Sequence, residues 1–162
     1  MIKNNIKSLL IHILISILSL IAYAPFHVSA VKWVSREAAK NHHIFMLILG
    51  VSIIILALIL YYFLSRAFLI NQGSDFKNIV SVSLTVLIGL ILWLTAYNFD
   101  YAGETSKLLN SDLWQLYSFY YSYCLSFVDE AAIKTPFIMF IFCIIPFLVM
   151  WLAIKDNGKS NR

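Results

Sequence analysis

The sequence predicts an all-α polytopic membrane protein, with four transmembrane helices plus one amphipathic interfacial helix in the long third loop. Three observations predict it. Of 162 residues, 61% are apolar or aromatic and only 12% are charged, with a mean hydropathy of +0.83; a soluble domain carries about 25% charged residues. The apolar residues gather into four runs close to the roughly 20 residues needed to cross about 30 Å of hydrocarbon. The cations collect at the ends of those runs, where Lys and Arg orient a membrane protein and meet anionic headgroups. This composition excludes a water-soluble globular domain, a disordered chain and a nucleic-acid-binding module. The net charge of +4 is therefore read against a bilayer, not against nucleic acid.

The first span runs from about Ser8 to Phe26, and His12 is its one ionisable group. Lys3 and Lys7 precede it, and both Ala22-Tyr23-Ala24 and Val28-Ser29-Ala30 resemble signal-peptidase sites. Pro25 disfavours cleavage at the first, and the run is long for a signal core, so a retained helix is expected. The second span, Ile44 to about Ile70, exceeds the membrane thickness and should tilt; Arg66 near its end snorkels on its apolar stem. The third covers Ile79 to Tyr97 and the fourth Pro136 to Ile154. Pro136 opens the fourth helix where its missing N–H costs nothing. Pro146, mid-way, removes one backbone bond and predicts a kink.

Between the third and fourth spans lies the one long connection, Asn98 to Thr135. Its central stretch, Asp112 to Val128, reads as a helix because Leu113, Leu116, Tyr117, Tyr120, Tyr121, Cys124 and Val128 recur at helical spacing. Gln115, Ser118, Ser122 and Ser126 form the opposing polar stripe, and Asp112 is placed to cap the start. At 17 residues with a serine face, the segment is expected to lie in the interface. A fifth span would also carry Lys155, Lys159 and Arg162 outside, against the charge rule.

Both termini are expected in the cytoplasm. That orientation puts Lys3, Lys7, Arg66, Lys77, Lys155, Lys159 and Arg162 inside, against Lys32, Arg36, Lys40, Lys107 and Lys134 outside. Trp33, Trp93, Trp114 and Trp151 all fall near expected interfaces, as in an aromatic belt. Residues 1–154 then make one helical-bundle domain, with 155–162 a polar cytoplasmic tail.

Three sets of residues are candidates for function. Ser8, His12, Ser16, Ser19, Tyr23 and His27, spaced 4, 4, 3, 4 and 4, line one side of the first helix. Such a stripe should face the bundle interior. It predicts either a hydrated path with His12 as proton acceptor or serines that bond a neighbouring helix. The lack of a second intramembrane acid or base favours packing. Gly50 and Ala57 on the second helix, and Ser81, Thr85 and Gly89 on the third, are small residues that permit close helix approach. Trp93 and Tyr97 continue the second of these rows. Trp114, Tyr117, Tyr120 and Tyr121 form a candidate outer partner surface, since tyrosine suits protein contact as well as headgroup anchoring.

Reaction chemistry is not indicated. No GxSxG or Cys–His pairing suggests a nucleophile with its base, and Cys124 and Cys143 are too far apart for a CxxC motif, so two free, buried thiols are expected. His27, Glu37, His42 and His43 lack HxxxH or HExxH spacing and read as a solvated loop, so neither metal nor cofactor is expected. Asp100, Glu104, Asp112, Asp129 and Glu130 against Lys107 and Lys134 make the third loop a solvated acidic rim. The resulting expectation is a small non-enzymatic integral membrane protein that binds another membrane component, as an accessory subunit or an immunity or inhibitor protein. Its partners would be the lipid bilayer and another membrane protein or a second copy of itself. A small oligomeric channel or proton-linked carrier using the first helix is the alternative, and a holin-like membrane-disrupting effector a third.

Overall fold

The computed structural model describes residues 1–30, 36–100, 112–130 and 136–160, and the side chains of 1–26, 41–99, 112–128 and 136–157. Every regular element among them is a helix: α1 (Ile2–Ala30), α2 (Arg36–Phe68), α3 (Asp75–Val80), α4 (Ser83–Asp100), α5 (Asp112–Tyr120), α6 (Ser122–Glu130) and α7 (Pro136–Ser160). Three stretches, Ile2–Phe26, Asn41–Phe68 and Pro136–Asn157, are long and apolar enough to cross a membrane, and Ser83–Phe99 is a shorter apolar helix. α1 packs on α2 and α4, and α7 packs on the same two, so these four helices surround a common interior. α5 lies along α4 and α6 along α2.

One end of the bundle, here called basal, is closed by side-chain amides that bond the helix-terminal groups left without intrahelical partners. Asn4 donates to Ile70 O at 2.7 Å and accepts from Ile70 N at 3.2 Å, clasping the backbone just beyond α2. Asn5 does the same across the α3–α4 junction, donating to Val80 O at 2.9 Å and accepting from Leu84 N at 3.0 Å. Lys7 Nζ donates to Phe68 O at 3.0 Å, the last carbonyl of α2. Asn71 donates to Ile154 O at 3.2 Å and Asn157 to Arg66 O at 2.5 Å, tying α7 to the same layer. The starts of α1 and α4 and the ends of α2 and α7 therefore meet here.

Local chemistry moves two expected boundaries. α2 stops at Phe68, not Ile70, because Asn71, Gly73 and Ser74 build a turn. Gly73 has φ 84°, its N–H donates to Asn71 Oδ1 at 2.8 Å, and Ser74 caps α3 by accepting from Lys77 N at 3.3 Å. The expected continuous helix from Ile79 is split at residues 81–82. Ser81 Oγ donates to Asn78 O at 2.8 Å and Ser83 Oγ to Val80 O at 3.0 Å, local bonds that compete with helix continuation.

The expected single helix over 112–128 is corrected in its form and in the face it buries. It is two helices broken at Tyr121, and its serine stripe faces inward: Ser118, Ser122 and Ser126 are buried, while Leu116 and Phe119 are 51% and 53% exposed. Two of the three donate to helix carbonyls there. Ser126 Oγ donates to Met46 O at 3.3 Å, and Ser122 Oγ donates to Phe119 O at 2.5 Å, capping the end of α5. From the break, Tyr117 on one limb reaches Met139 near the start of α7, and Phe127 on the other touches Gly50 in the upper half of α2. Both limbs thus lead back toward the end opposite the amide layer.

The molecule is polar within and apolar without. His12, Tyr61, Tyr117, Tyr121 and Tyr123 are fully buried, whereas Leu10, Ile21, Ile48 and Ile91 are each about 60% exposed. Water would penalise so much exposed aliphatic surface, so this polarity fits a membrane environment. Two of the expected belt tryptophans are enclosed by the bundle: Trp93 is buried with its Nε1 donating to Pro136 O at 2.8 Å, at the start of α7, and Trp114 is fully buried. Trp151 is half-buried near the basal end, with Lys155 5.3 Å above its ring. Trp33 lies outside the described residues.

Candidate functional site

The polar stripe of α1 faces the interior along its described length. Ser8, His12, Ser16, Ser19 and Tyr23 are each no more than 6% exposed; the side chain of His27 lies outside the described residues. Ser8 Oγ sits 3.4 Å from Thr85 Oγ1 on α4. Ser16 Oγ donates to Tyr120 O at 2.6 Å, a carbonyl at the α5–α6 break, where Cys124 N turns back to Tyr121 O at 3.0 Å. The stripe thus bonds atoms that the neighbouring helices leave spare.

His12 is the centre of an aromatic cluster. Its Nδ1 is 2.7 Å from Tyr61 Oη. The imidazole stands 4.2 Å from the ring of Tyr120 and 5.0 Å from that of Tyr121. Nε2 has no hydrogen-bond partner of good geometry among the described residues; it lies among ring faces, where only weaker N–H···π contacts are available. The tyrosine hydroxyls reach outward from this centre to backbone carbonyls: Tyr120 to Thr85 O at 3.1 Å, Tyr123 to Phe142 O at 2.7 Å, and Tyr117 to Met139 O. Tyr117 Oη also lies 3.3 Å from Cys143 Sγ. Cys124 and Cys143 are both free and buried.

The small residues lie at close approaches, two of them against α5–α6. A Cβ on Gly50 would stand 2.8 Å from the backbone N of Phe127, and one on Gly89 would stand 2.6 Å from Cζ of Tyr121. Thr85 and Ser81 are buried, Ser81 accepting from Asn4 at 3.3 Å, and Ala57 is 2% exposed. An outer partner surface made of Trp114, Tyr117 and Tyr121 is corrected by their complete burial; each tyrosine ring finds a helix wall inside, and only Tyr120 remains half-buried.

Tyr61 is the residue that sequence reasoning missed. The row Gly50–Ala57, continued by one helical turn, ends on Tyr61, so a signal was present. The hydroxyls of Tyr117, Tyr120 and Tyr123 bond backbone carbonyls, which leave no mark in side-chain identity.

Where α5 fills the gap between α1 and α4, a shallow apolar groove of about 330 Å³ opens outward. Ile17 and Leu20 of α1, Leu92 of α4, and Leu116 and Phe119 of α5 form its walls, with Ser16 and Tyr120 at its floor. No family model, curated protein or solved structure matches this chain.

Proposed function

We propose that this chain is a non-enzymatic integral membrane protein of four spans, α1, α2, α4 and α7, that acts by binding another membrane component. α5–α6 is then a re-entrant pair entering from the side opposite the amide layer. Broken backbone at bilayer depth is tolerated where protein surrounds it, and the burial of residues 121–124 supports that reading. The amide layer, with Lys3, Lys7, Lys77 and Lys155, is the cytoplasmic end in this account, and both termini share it.

The observation that carries the binding reading is the outer groove beside α5. The interior hydroxyls of Tyr117, Tyr120 and Tyr123 are engaged with helix carbonyls, and the binding reading looks to the outward face of the same limb. On that outer surface Leu116 and Phe119 project beside a shallow apolar recess of about 330 Å³, which offers a partner's side chains a place to pack. The partner surface thus moves from the tyrosine face to the opposite face of the same limb. An accessory subunit or an immunity or inhibitor protein would use it in this way.

A photocrosslinking residue at position 116 or 119, compared with position 55 on the outer face of α2, tests this in native membranes. Discrete protein adducts at 116 and 119 but not at 55 support the proposal. Lipid adducts alone at all three positions overturn it.

A second reading, a proton-linked carrier, is favoured by the fully buried His12 bonded to Tyr61. Proton flux in liposomes that His12→Ala abolishes would support it; equal, negligible flux in wild type and variant would remove it.

A further inference from the structure

We infer that the basal seam between α1 and α2 holds one anionic phospholipid, its phosphate on Lys3 and Lys7 and one acyl chain in the groove above them, toward the middle of the bundle. The inference rests on the membrane reading above and adds a specific site to it.

A groove of about 220 Å³ runs along this seam, walled by Leu10, Ile11 and Leu14 of α1 and by Leu64 and Phe68 of α2, with Lys7 at its mouth. The sequence builds it on both sides. Lys3, Lys7, Leu10 and Leu14 are spaced 4, 3 and 4, so one face of α1 passes from two cations to two leucines. Leu64 and Phe68, four apart, present the matching apolar ridge of α2. Charge at one end and hydrocarbon along the rest is the complement of an anionic amphiphile.

Lys7 is held in place for this role. One of its three donors is spent on Phe68 O at 3.0 Å, fixing the ammonium at the mouth, and two donors remain. Carboxylates at the same end are engaged elsewhere: Asp75 pairs with Lys155 at 3.1 Å, and Asp156 accepts from Tyr62 Oη at 2.9 Å. A zwitterionic lipid would bring its own ammonium toward Lys3 and Lys7, so the pair of lysines selects a headgroup of net negative charge. Each such cation near a membrane surface favours an anionic lipid by about fivefold.

The test uses the full chain purified in mild detergent and titrated with phosphatidylglycerol or phosphatidylcholine, bound lipid being counted by native mass spectrometry. Wild type should retain one phosphatidylglycerol about 25-fold better than phosphatidylcholine. Lys7→Gln should lower that preference about fivefold, Lys3→Gln/Lys7→Gln should abolish it, and Lys7→Arg should keep it. Leu14→Trp, which fills the groove and leaves the charge intact, should remove the bound lipid. Equal retention of the two lipids, or a wild-type preference in the double lysine variant, overturns the inference. Binding of glycerol phosphate as tight as that of the lipid overturns the acyl part of the site. Equal retention of the two lipids by a protein that still floats with vesicles of either sinks this site alone; failure to float with any vesicle sinks the membrane reading as well.

Discussion

Pro146 lacks the N–H that would bond the carbonyl of Phe142 four residues earlier, so α7 carries one orphan acceptor in its interior. Tyr123 Oη donates to that carbonyl at 2.7 Å from a fully buried position. Tyr123→Phe keeps the ring, which stands 5.9 Å from Tyr61 and 6.2 Å from Phe142, and deletes only the hydroxyl. A buried carbonyl left without a partner costs about 1–3 kcal/mol. Measured hydrogen bonds inside membrane proteins average about 0.6 and reach about 1.7 kcal/mol. The structure places this bond at the upper end of the membrane range, about 1–2 kcal/mol, because no intrahelical donor competes for the acceptor. Pro146→Ala restores that donor, and in its background Tyr123→Phe should cost under about 0.5 kcal/mol. The cycle therefore has a coupling of about 1 kcal/mol. The assay is unfolding by SDS from mild-detergent micelles, followed by circular dichroism, on wild type, both single variants and the double. Tyr117→Phe is the control, since its acceptor, Met139 O, lies opposite Cys143, whose N–H is present; its cost should be the same with either residue at position 146. Equal losses for Tyr123→Phe in both backgrounds would refute the argument.

Three further expectations follow from other parts of the bundle. Asn4→Ala removes two bonds to Ile70 and one to Ser81 from a side chain 2% exposed, and should lower stability by about 2–3 kcal/mol in the same SDS titration. Gly50→Ala presses a Cβ to 2.8 Å from backbone N and 3.0 Å from Cα of Phe127. The overpacking, about 1–3 kcal/mol, outweighs the helix propensity gained, about 1 kcal/mol, so this variant should unfold at lower SDS; a stabilised variant would show that α6 does not sit against α2 there. Cys124 and Cys143, each 1% exposed, should resist a water-soluble maleimide in the folded protein and react fully in SDS; rapid labelling of either without SDS would contradict their burial.

Much of the fold was legible because the dominant signal is simple. Runs of Leu and Ile as long as a bilayer is thick announce α1, α2 and α7, and the spacing of Ser8, His12 and Ser16 announces which side of α1 turns inward. The segment after α4 misled for a physical reason. Tyrosine and serine stripes on opposite faces of a short helix look amphipathic when water is assumed to lie on one side. Tyr117, Tyr121, Ser118, Ser122 and Ser126 are all buried, and the hydroxyls of Tyr117, Ser122 and Ser126 are satisfied by helix carbonyls. Of the residues that do face outward, Leu116 stands at the edge of the tyrosine stripe and Phe119 belongs to neither stripe, so neither carried a separate signal. The break at Tyr121 was equally hidden, since neither Gly nor Pro marks it; it depends on Ser122 and Ser16 bonding the carbonyls of Phe119 and Tyr120.

The kinds of polar group used at each depth point to where the hydrocarbon begins. Asn4, Asn5, Asn71, Gln72, Asn78 and Asn157 all belong to the basal layer, where they bond helix ends and one another. Above that layer the described polar side chains buried between the helices are hydroxyls, thiols, indoles and imidazoles, with no carboxamide among them. A carboxamide has two donors and an oxygen with two lone pairs to satisfy, which in hydrocarbon needs several partners arranged around it; helix ends supply them, and a helix interior does not. A hydroxyl needs one acceptor, and any helix carbonyl has a lone pair to offer. In the four-span proposal, the change from amides to hydroxyls between Asn5 and Ser8, the position where Lys7 reaches Phe68 O, is the basal edge of the apolar zone. The groove beside Lys7 would straddle that same edge, with its cations on the basal side and its leucines above.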